Sequence, residues 1–267
     1  NMGMQTRAYK FRIYPTKQQE KLLFHHLHLS KELWNFLLAK NKEKFCAESK
    51  FLSKSEMQLM VKRSGLYSQT AQVLSHRLHN AIRRKVDAKK QGRKCGFPRF
   101  KSIDRMKSLN YPQSGFSLNQ KLKVSPFGEI NIVRHRQING RIKTLTLKRE
   151  PSGKWFATFC AQEERQTPKQ NTGGKVGLDL GLTNFAALSD GTIVKNPHHL
   201  KKWEKKLAAS QRYLSAKRKG SKNRLRAKLK VARLHEKMAN CRLDFLHKTA
   251  NRLLSTYSFI ALEELHI

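Results

Sequence analysis

Residues 175–195 read KVGLDLGLTNFAALSDGTIVK and contain three short apolar stretches, KVGLDLG, FAALSDG and TIVK. Each stretch has the length of a strand, and the residues between them favour turns. We therefore predict three consecutive strands here. Residues 197–254 then form a long basic helical region, which we expect to turn near Lys219–Ser221, and SFIALEEL at 258–265 predicts a further strand. The order is thus three strands, helices and a strand.

Two acidic residues occupy comparable positions in these strands. Asp179 lies inside the first stretch, between Val176 and Leu180, and Glu263 follows the apolar run FIAL. A carboxylate within an apolar strand is unfavourable unless its charge is compensated, and a bound divalent cation would compensate it. Two carboxylates on neighbouring strands can share a metal, and Mg²⁺ accepts one or two carboxylates together with phosphate oxygens. The alternative is that Asp179 is an ordinary turn or capping acid.

The chain as a whole is strongly basic. Its 267 residues include 56 lysines and arginines against 18 aspartates and glutamates, which gives a formal net charge of +38. Such a charge opposes compaction by self-repulsion, and a polyanion on the surface relieves it. A phosphate backbone suits best, because its neutralisation releases counterions. The composition therefore indicates a nucleic-acid partner, with an ordinary solvated basic face as the alternative.

Membrane, secretory and cysteine-based classes are not supported by the sequence. No run approaches the roughly 18 apolar residues that a membrane span needs, and the opening residues lack the apolar region of a secretory signal. The cysteines lie far apart and form no CxxC pair, so these residues encode neither a zinc ribbon nor a disulfide framework. They are Cys46, Cys95, Cys160 and Cys241. We predict a cytoplasmic protein with no membrane partner.

The N-terminal part combines strands with helices. AYKFRIY at 8–14 alternates apolar and polar residues, which predicts a half-buried strand with a basic outer face. Helical periodicity follows over 17–48, with a break expected near Ser30, over about 55–63 and over about 68–91. From about 107 to 165 the pattern returns to strands. Because strand 8–14 needs partners, we expect a β-barrel with a helical insertion, ending at a polar linker at 166–174.

The helix predicted over 68–91 has one apolar side and one side suited to phosphate. The polar side carries Gln72, His76, Arg77, Arg83 and Arg84. A glutamine can form two hydrogen bonds with an adenine edge, which makes Gln72 a candidate for reading a base. For each of these residues the alternative is an ordinary solvated helix face.

Taken together, these segments resemble the TnpB family, transposon-encoded RNA-guided DNA endonucleases that are the ancestors of type V CRISPR effectors. The resemblance covers almost the whole chain, and its specificity lies in the conjunction of six segments. They are AYKFRIYPT at 8–16, LWNFLLA at 33–39, GFPRFK at 96–101, GLDLGLTNFAALSDG at 177–191, RLDFLHKTANRL at 242–253 and FIALEEL at 259–265.

The resemblance implies a multi-domain α+β fold. A wedge-like β-barrel of residues 1–14 and 96–168 would hold an inserted helical recognition domain, residues 15–95, and a RuvC-like nuclease domain of the α/β RNase H type would follow at 169–267. Members of the family bind a transposon-end guide RNA, called ωRNA or reRNA, in the prokaryotic cytoplasm. They recognise a short transposon-adjacent motif on double-stranded DNA and cleave guide-matched DNA with a metal ion. Base pairing supplies most of the sequence specificity in this division of labour.

Matched residue by residue, Asp179 falls on the first RuvC acid and Glu263 on the second. Both are expected to be catalytic and to bind Mg²⁺ or Mn²⁺, whereas Glu264 should face away because strand side chains alternate. Gln72 aligns with a residue that reads the adjacent motif in relatives.

The other expected nucleic-acid contacts lie in the N-terminal part. Ser53 and Lys54 lie near a second position that contacts the adjacent motif in relatives. Arg99 and Lys101 of GFPRFK are expected to touch a nucleic-acid backbone, while Phe97 and Phe100 are either stacking platforms or core. With Gln72, Arg77, Arg83 and Arg84 from the third helix, these four polar residues complete the predicted nucleic-acid-binding set.

One departure from the family pattern concerns a third acid. In the family this aspartate follows a zinc ribbon of four cysteines. The sequence stops at Ile267 and includes neither the ribbon nor the third acid. Structural zinc is therefore expected only in that ribbon, which lies outside these residues. We expect the protein to continue beyond Ile267, because an end so near the second acid would leave the nuclease sheet incomplete.

Two other functions remain open at this point. A nuclease-inactive RNA-guided DNA-binding repressor would use the same guide and target without cutting. A plain basic RNA-binding protein would need neither paired acids in apolar strands nor a DNA target.

Overall fold

The computed structural model describes residues 3–165 and 172–263, and the chain divides between Arg165 and Gln166 into two units. We call them the N-terminal unit and the C-terminal unit. The first six residues of the predicted linker at 166–174 lie outside the described residues, as does Glu264, whose orientation was predicted above.

The N-terminal unit is built on a barrel-like sheet of seven strands. They are β1 (Met4–Tyr14), β2 (Ser108–Tyr111), β3 (Phe116–Leu118), β4 (Leu122–Val124), β5 (Gly128–Val133), β6 (Arg141–Arg149) and β7 (Trp155–Glu164). Their order is β2-β6-β7-β1-β5-β4-β3, so β2 and β3 are the two ends of a nearly closed sheet. The Tyr111 hydroxyl of β2 donates to the carbonyl oxygen of Ser125 at 2.8 Å, which links the β2 end to the residue after β4.

Strand β1 occupies the middle of this sheet. Ten consecutive residues, Met4 to Ile13, pair antiparallel with β7, and the last three residues of β1 pair with β5. The predicted alternation is confirmed, because Tyr9, Phe11 and Ile13 are almost completely buried. The apolar face of β1 therefore lies at the centre of the core.

Three helices follow β1 before the chain returns to the sheet. They are α1 (Lys17–Glu48), α2 (Lys54–Met60), which continues into a 3-10 turn at Val61–Arg63, and α3 (Ser68–Lys90), and a second 3-10 turn covers Ile103–Arg105. A capping box begins α1, because Thr16 and Gln19 each accept a hydrogen bond from the other's backbone N–H. The break expected at Ser30 was wrong: its buried hydroxyl donates to the His26 carbonyl at 2.8 Å, so the residue is satisfied inside a continuous helix.

The C-terminal unit contains a four-stranded sheet and a helical hairpin. Its elements are β8 (Lys175–Leu180), β9 (Asn184–Leu188), β10 (Ile193–Lys195), α4 (His199–Ser215), α5 (Lys222–Thr256) and β11 (Phe259–Leu262). The strand order is β10-β9-β8-β11; β8 and β11 run parallel, and the other pairs are antiparallel. The predicted strands and the helical turn near Lys219–Ser221 are therefore confirmed.

One face of this second sheet is covered by α5. Val176, Ala186 and Leu188 pack with Val194 and with Leu253 of α5 in a small apolar cluster. Throughout the described parts of both units, none of the helices is long and apolar enough to cross a membrane.

Gly140, just before β6, is packed closely against β7, and Gly92, just after α3, is a comparison glycine in open space. Gly140 and Gly92 both have positive φ angles, of 78° and 69°, but a Cβ on Gly140 would lie 2.2 Å from the Gln162 carbonyl oxygen, whereas nothing lies within 4 Å at Gly92. We expect Gly92→Ala to lower the free energy of unfolding by about 1 to 2 kcal/mol, from the backbone conformation alone. Gly140→Ala should be clearly more destabilising in chemical denaturation, and equal losses would contradict this packing.

Candidate metal centre and nucleic-acid interface

Asp179 lies on the face of the second sheet that α5 does not cover. Side chains alternate along β8, so Val176 and Leu178 point towards the apolar cluster while Gly177 and Asp179 point away from it. Asp179 pairs with Ala187 of β9, which is also exposed. The Asp179 carboxylate has no hydrogen bond or ion pair with any residue that the structure describes.

The parallel pairing of β8 with β11 brings Glu263 to the same edge. Leu262, the last residue of β11, is the register partner of Leu178. One further step along both chains aligns Glu263 with Asp179, and paired strands are about 5 Å apart. By the same alternation both acids belong to the open face, and both are exposed. Two residues about 80 positions apart in sequence thus share one end of one sheet.

The prediction that Asp179 is buried, and so needs a cation to offset its charge, was wrong. The apolar neighbours of Asp179 in sequence predict a buried carboxylate, whereas Asp179 is exposed to solvent. A solvated carboxylate needs no cation to offset burial. What remains in favour of a metal is the alignment of two acids, and this comes from strand pairing.

These two carboxylates suit Mg²⁺ or Mn²⁺ better than zinc. Mg²⁺ is commonly held by one or two carboxylates, with water and substrate phosphate oxygens completing its shell. No group of three or more His, Cys, Asp or Glu side chains is arranged around a metal within 3–165 and 172–263. Asp179 and Glu263 could together supply two carboxylate ligands to such an ion.

Asp190, at the end of the same sequence motif, has a structural role. Its carboxylate accepts hydrogen bonds from the Tyr257 hydroxyl and from the Thr192 backbone N–H. The Tyr257 bond, followed by those from Thr192, holds the pKa of Asp190 below its ordinary value. Asp190 therefore stabilises the turn between β9 and β10.

The predicted polar residues of α3 divide between two sides of the helix. Arg77 and Arg84 are seven residues apart, which is about two helical turns, and therefore lie on one side; Gln72 and Arg83, about three turns apart, lie on another. All four side chains are exposed. On the Gln72 side, His76 lies 2.8 Å from the amide nitrogen of Gln58 in α2. The predicted contact residues of α3 therefore do not all face the same surface.

Ser53 and Lys54 lie at the beginning of α2. Ser53 is the N-cap: its hydroxyl accepts from the Glu56 N–H at 3.2 Å, and Glu56 in turn accepts from the Ser53 N–H. Lys54 is exposed and lies close enough to His76 to lower the pKa of that imidazole, an effect secondary to burial. These two predicted residues therefore lie beside the Gln72 side of α3.

Arg99 and Lys101 are held by α1. The Trp34 indole N–H donates to the Arg99 carbonyl at 3.2 Å, and the Asn35 side chain exchanges two hydrogen bonds with the Lys101 backbone, at 2.8 and 3.0 Å. The sequence segments LWNFLLA and GFPRFK are thus joined directly. The roles of Trp34 and Asn35 were missed from the sequence, since no local pattern links residues 66 positions apart.

Lys101 lies in an unusual environment for a surface cation. Its ammonium nitrogen is 3.4 Å from the centre of the Trp34 ring. Burial first, and then the neighbouring charge of Arg77, lower the pKa of Lys101 to about 8. A phosphate at this position would favour the ammonium form, so the site is chemically suited to an anion.

Comparisons with known proteins bear on both units. Residues 158–267 match the OrfB_IS605 family, described as a probable transposase, and residues 2–50 match its helix-turn-helix domain. In this structure the second range contains β1 and one long helix, α1. Both matches indicate one class of protein, the OrfB_IS605 family of probable transposases.

Two relatives narrow this class. One from Escherichia coli K12, named "Putative RNA-guided DNA endonuclease InsQ", is 30% identical over 270 residues, covering 97% of this chain and 66% of the relative. One from Streptomyces pristinaespiralis, named "Putative RNA-guided DNA endonuclease", is 30% identical over 271 residues, covering 98% of this chain and 67% of the relative. The chain belongs to the TnpB family, and it spans about two thirds of the length of these relatives.

A solved structure was also found, the "Cryo-EM structure of the Cas12f1-sgRNA-target DNA complex". It is 14% identical, the match covers 98% of this chain and 73% of that chain, and the TM-score is 0.39. A likeness at this level does not define a shared fold.

The environment of Lys101 predicts a pH-dependent affinity for nucleic acid. If phosphate binds only the ammonium form, raising the pH from 7 to 9 lowers the protonated fraction of Lys101, whose pKa is about 8, about tenfold. The part of the binding constant that depends on Lys101 should fall by the same factor. Lys101→Arg should remove this dependence, because arginine stays charged. Fluorescence anisotropy of a labelled oligonucleotide at both pH values would measure the difference.

The free protein should show the opposite trend in stability. The unfolded chain keeps the Lys101 proton up to about pH 10.5, so between about 8 and 10.5 this group makes the free energy of unfolding rise with pH. An equal pH dependence of binding in the wild type and in Lys101→Arg would contradict the assignment.

Proposed function

We propose that this protein is an RNA-guided DNA endonuclease whose catalytic acids include Asp179 and Glu263. The observation that carries the proposal is the parallel pairing of β8 with β11, which aligns the two acids on the uncovered face of one sheet. Membership of a family with relatives named as RNA-guided DNA endonucleases supports the same activity. An ordinary basic RNA-binding protein would have no use for this alignment.

The C-terminal unit is, in this proposal, a RuvC-like nuclease domain of the RNase H type. Support comes from its strand order, in which β8 lies between antiparallel β9 and parallel β11. The N-terminal unit would be the wedge-like barrel with its helical recognition insertion, since α1 to α3 leave the barrel after β1 and the chain returns at β2.

A divalent ion, Mg²⁺ or Mn²⁺, would be held by Asp179 and Glu263. When bound, it lowers the pKa of a coordinated water and stabilises charge on phosphate oxygens. The exposure of both acids leaves room for a phosphodiester to approach them. The two carboxylates would orient the ion and offset part of its charge, and Gly177, on the same face of β8, adds no side chain of its own there.

Guide RNA and double-stranded DNA are the proposed partners. The formal net charge of +38 suits a protein that holds long phosphate backbones. The Arg77 side of α3 and the adjoining Arg99 and Lys101 would contact phosphates. Gln72, exposed on another side of α3 near Lys54, would read a base of the transposon-adjacent motif.

Removal of either acid tests the nuclease assignment. Asp179→Asn and Glu263→Gln keep size and remove charge, so each should lower guide-directed cleavage by roughly a thousandfold or more while leaving guide binding unchanged. The assay is Mg²⁺-dependent cutting of a matched DNA by the protein loaded with its cognate RNA.

Asp244→Asn is the matched control, because Asp244 is an exposed acid of the same unit that pairs with Lys248 at 2.8 Å. It should cut as the wild type does. Target binding without any strand break in the wild type would instead favour an RNA-guided repressor, and tight RNA binding with no DNA targeting would favour a plain RNA-binding protein.

Base reading and phosphate binding by α3 are separable. Gln72→Ala should relax the preference at one position of the adjacent motif, at a loss of about 1 to 3 kcal/mol for the preferred base. Arg84→Gln should weaken all sequences alike and reduce the salt slope by about 1. Asn80→Ala, another exposed polar residue of α3, is the control. A motif-cleavage library read by sequencing would separate these outcomes, and an unchanged preference in Gln72→Ala would remove that residue from base reading.

A further inference from the structure

A cluster of aromatic rings and lysines lies at the C-terminal end of α1, and we call it the phenylalanine–lysine patch. It comprises Phe45 and Lys42 of α1, Phe51 after α1, Lys85 of α3, and Phe97 and Phe100 of the GFPRFK segment. Two helices, the segment between α1 and α2, and the GFPRFK segment therefore supply it.

The rings of the patch follow one another in space. Phe45 and Phe51 are stacked with centroids 4.6 Å apart and planes 7° apart, and Phe51 lies 5.7 Å from Phe97. Phe51 and Phe97 are half-buried against the core, whereas Phe45 and Phe100 are 40% and 47% exposed. The half-buried pair is thus the floor of the patch, and the two exposed rings are its free surfaces.

Both lysines lie over these rings. The Lys85 ammonium is 4.5 Å from the Phe97 centroid and 5.9 Å from that of Phe45, and the Lys42 ammonium is 4.6 Å from the Phe100 centroid. Neither lysine has an ion pair with a carboxylate of the described residues. The acid next to Lys42 in sequence, Glu43, forms its salt bridge with Lys40 instead, at 2.7 Å.

Exposed rings beside lysines that have no ion pair within the described residues favour one kind of ligand. Exposed aromatic faces with unpaired cations beside them bind the stacked bases and the phosphates of an unpaired nucleic-acid strand. A duplex does not fit, because its bases already stack on one another and present only their edges, not their faces, to a protein. An acidic peptide would satisfy the lysines but would leave without a planar partner the face of Phe100 and the outer face of Phe45, whose other face stacks on Phe51.

We propose that the phenylalanine–lysine patch binds unpaired bases of an RNA strand, with bases stacking on Phe45 and Phe100 and the adjoining phosphates contacting Lys42 and Lys85. The choice of RNA rests on the proposed function, in which guide RNA is the resident partner. Exposed apolar rings promote aggregation unless a partner covers them, and a permanently bound strand covers them better than a transient DNA target.

The test uses the whole chain and a short unstructured RNA containing 2-aminopurine, whose fluorescence is quenched when it stacks on a ring. The double variant Phe45→Leu with Phe100→Leu keeps apolar surface and removes both rings. We expect affinity to fall at least about fivefold per ring, with loss of the quenching. The double variant Phe45→Tyr with Phe100→Tyr should restore affinity and quenching.

Phe36→Leu is the matched control. Phe36 is 47% exposed on the same helix, and its offset of nine positions from Phe45, which is two and a half helical turns, places it on the opposite side of α1. It should bind and quench as the wild type does. Because all three positions are exposed, thermal unfolding should change little, and the tyrosine pair controls for folding.

Three outcomes would overturn the inference. They are unchanged affinity and quenching in the double leucine variant, ultraviolet crosslinks to uridine that avoid the peptides containing Phe45 and Phe100, and the same ring-dependent loss for single-stranded DNA at equal or higher affinity. Guide-directed cleavage is measured in parallel. A wild type that cuts but shows no ring dependence refutes the patch alone, whereas ring-dependent RNA binding without any cutting refutes the proposed function alone.

Discussion

Both units depend on a pairing between strands that are distant in sequence. In the N-terminal unit, ten residues of β1 pair with β7, and in the C-terminal unit four residues of β11 pair with β8. Closing such long loops costs conformational entropy, but the cost grows slowly with loop length. The apolar faces of Phe11 and Val176, both almost fully buried, supply the compensating burial. Once these pairs form, the intervening helices must leave the sheet and return to it.

The same pairings position the chemistry. Because β8 and β11 run parallel with a defined register, Asp179 near the end of β8 and Glu263 just after β11 lie at the same end of the two strands. In the N-terminal unit the helices leave the barrel and come back, and the hydrogen bonds from Trp34 and Asn35 hold the returning segment at Arg99 and Lys101. That contact also carries Phe97 and Phe100 towards α1. The alignment of the two acids and the assembly of this aromatic and basic surface therefore both depend on distant segments of the chain returning to the same place.

The basic charge is arranged in two different ways. Most lysines and arginines remain solvated, where mutual repulsion is weakened by water and salt. A few lie against aromatic rings instead, as Lys101 does on Trp34 and Lys85 on Phe97. These cations have given up part of their hydration, so an approaching phosphate has less water to displace. In the proposed complex, these positions of a generally basic surface would contribute most of the affinity for nucleic acid.

Local patterns were sufficient to predict the elements: the alternation of Tyr9, Phe11 and Ile13, the capping box at Thr16 and the short strands around Asp179 depend only on neighbouring residues. The motifs likewise indicated the family and directed attention to Asp179 and Glu263. The sequence could not predict that Ser30 is satisfied inside α1, that Asp179 is exposed, or that Phe45 stacks on Phe51. Periodicity and capping act within a few residues, whereas burial, register and ring contacts depend on which distant segments pack together. Tertiary structure alone decided those.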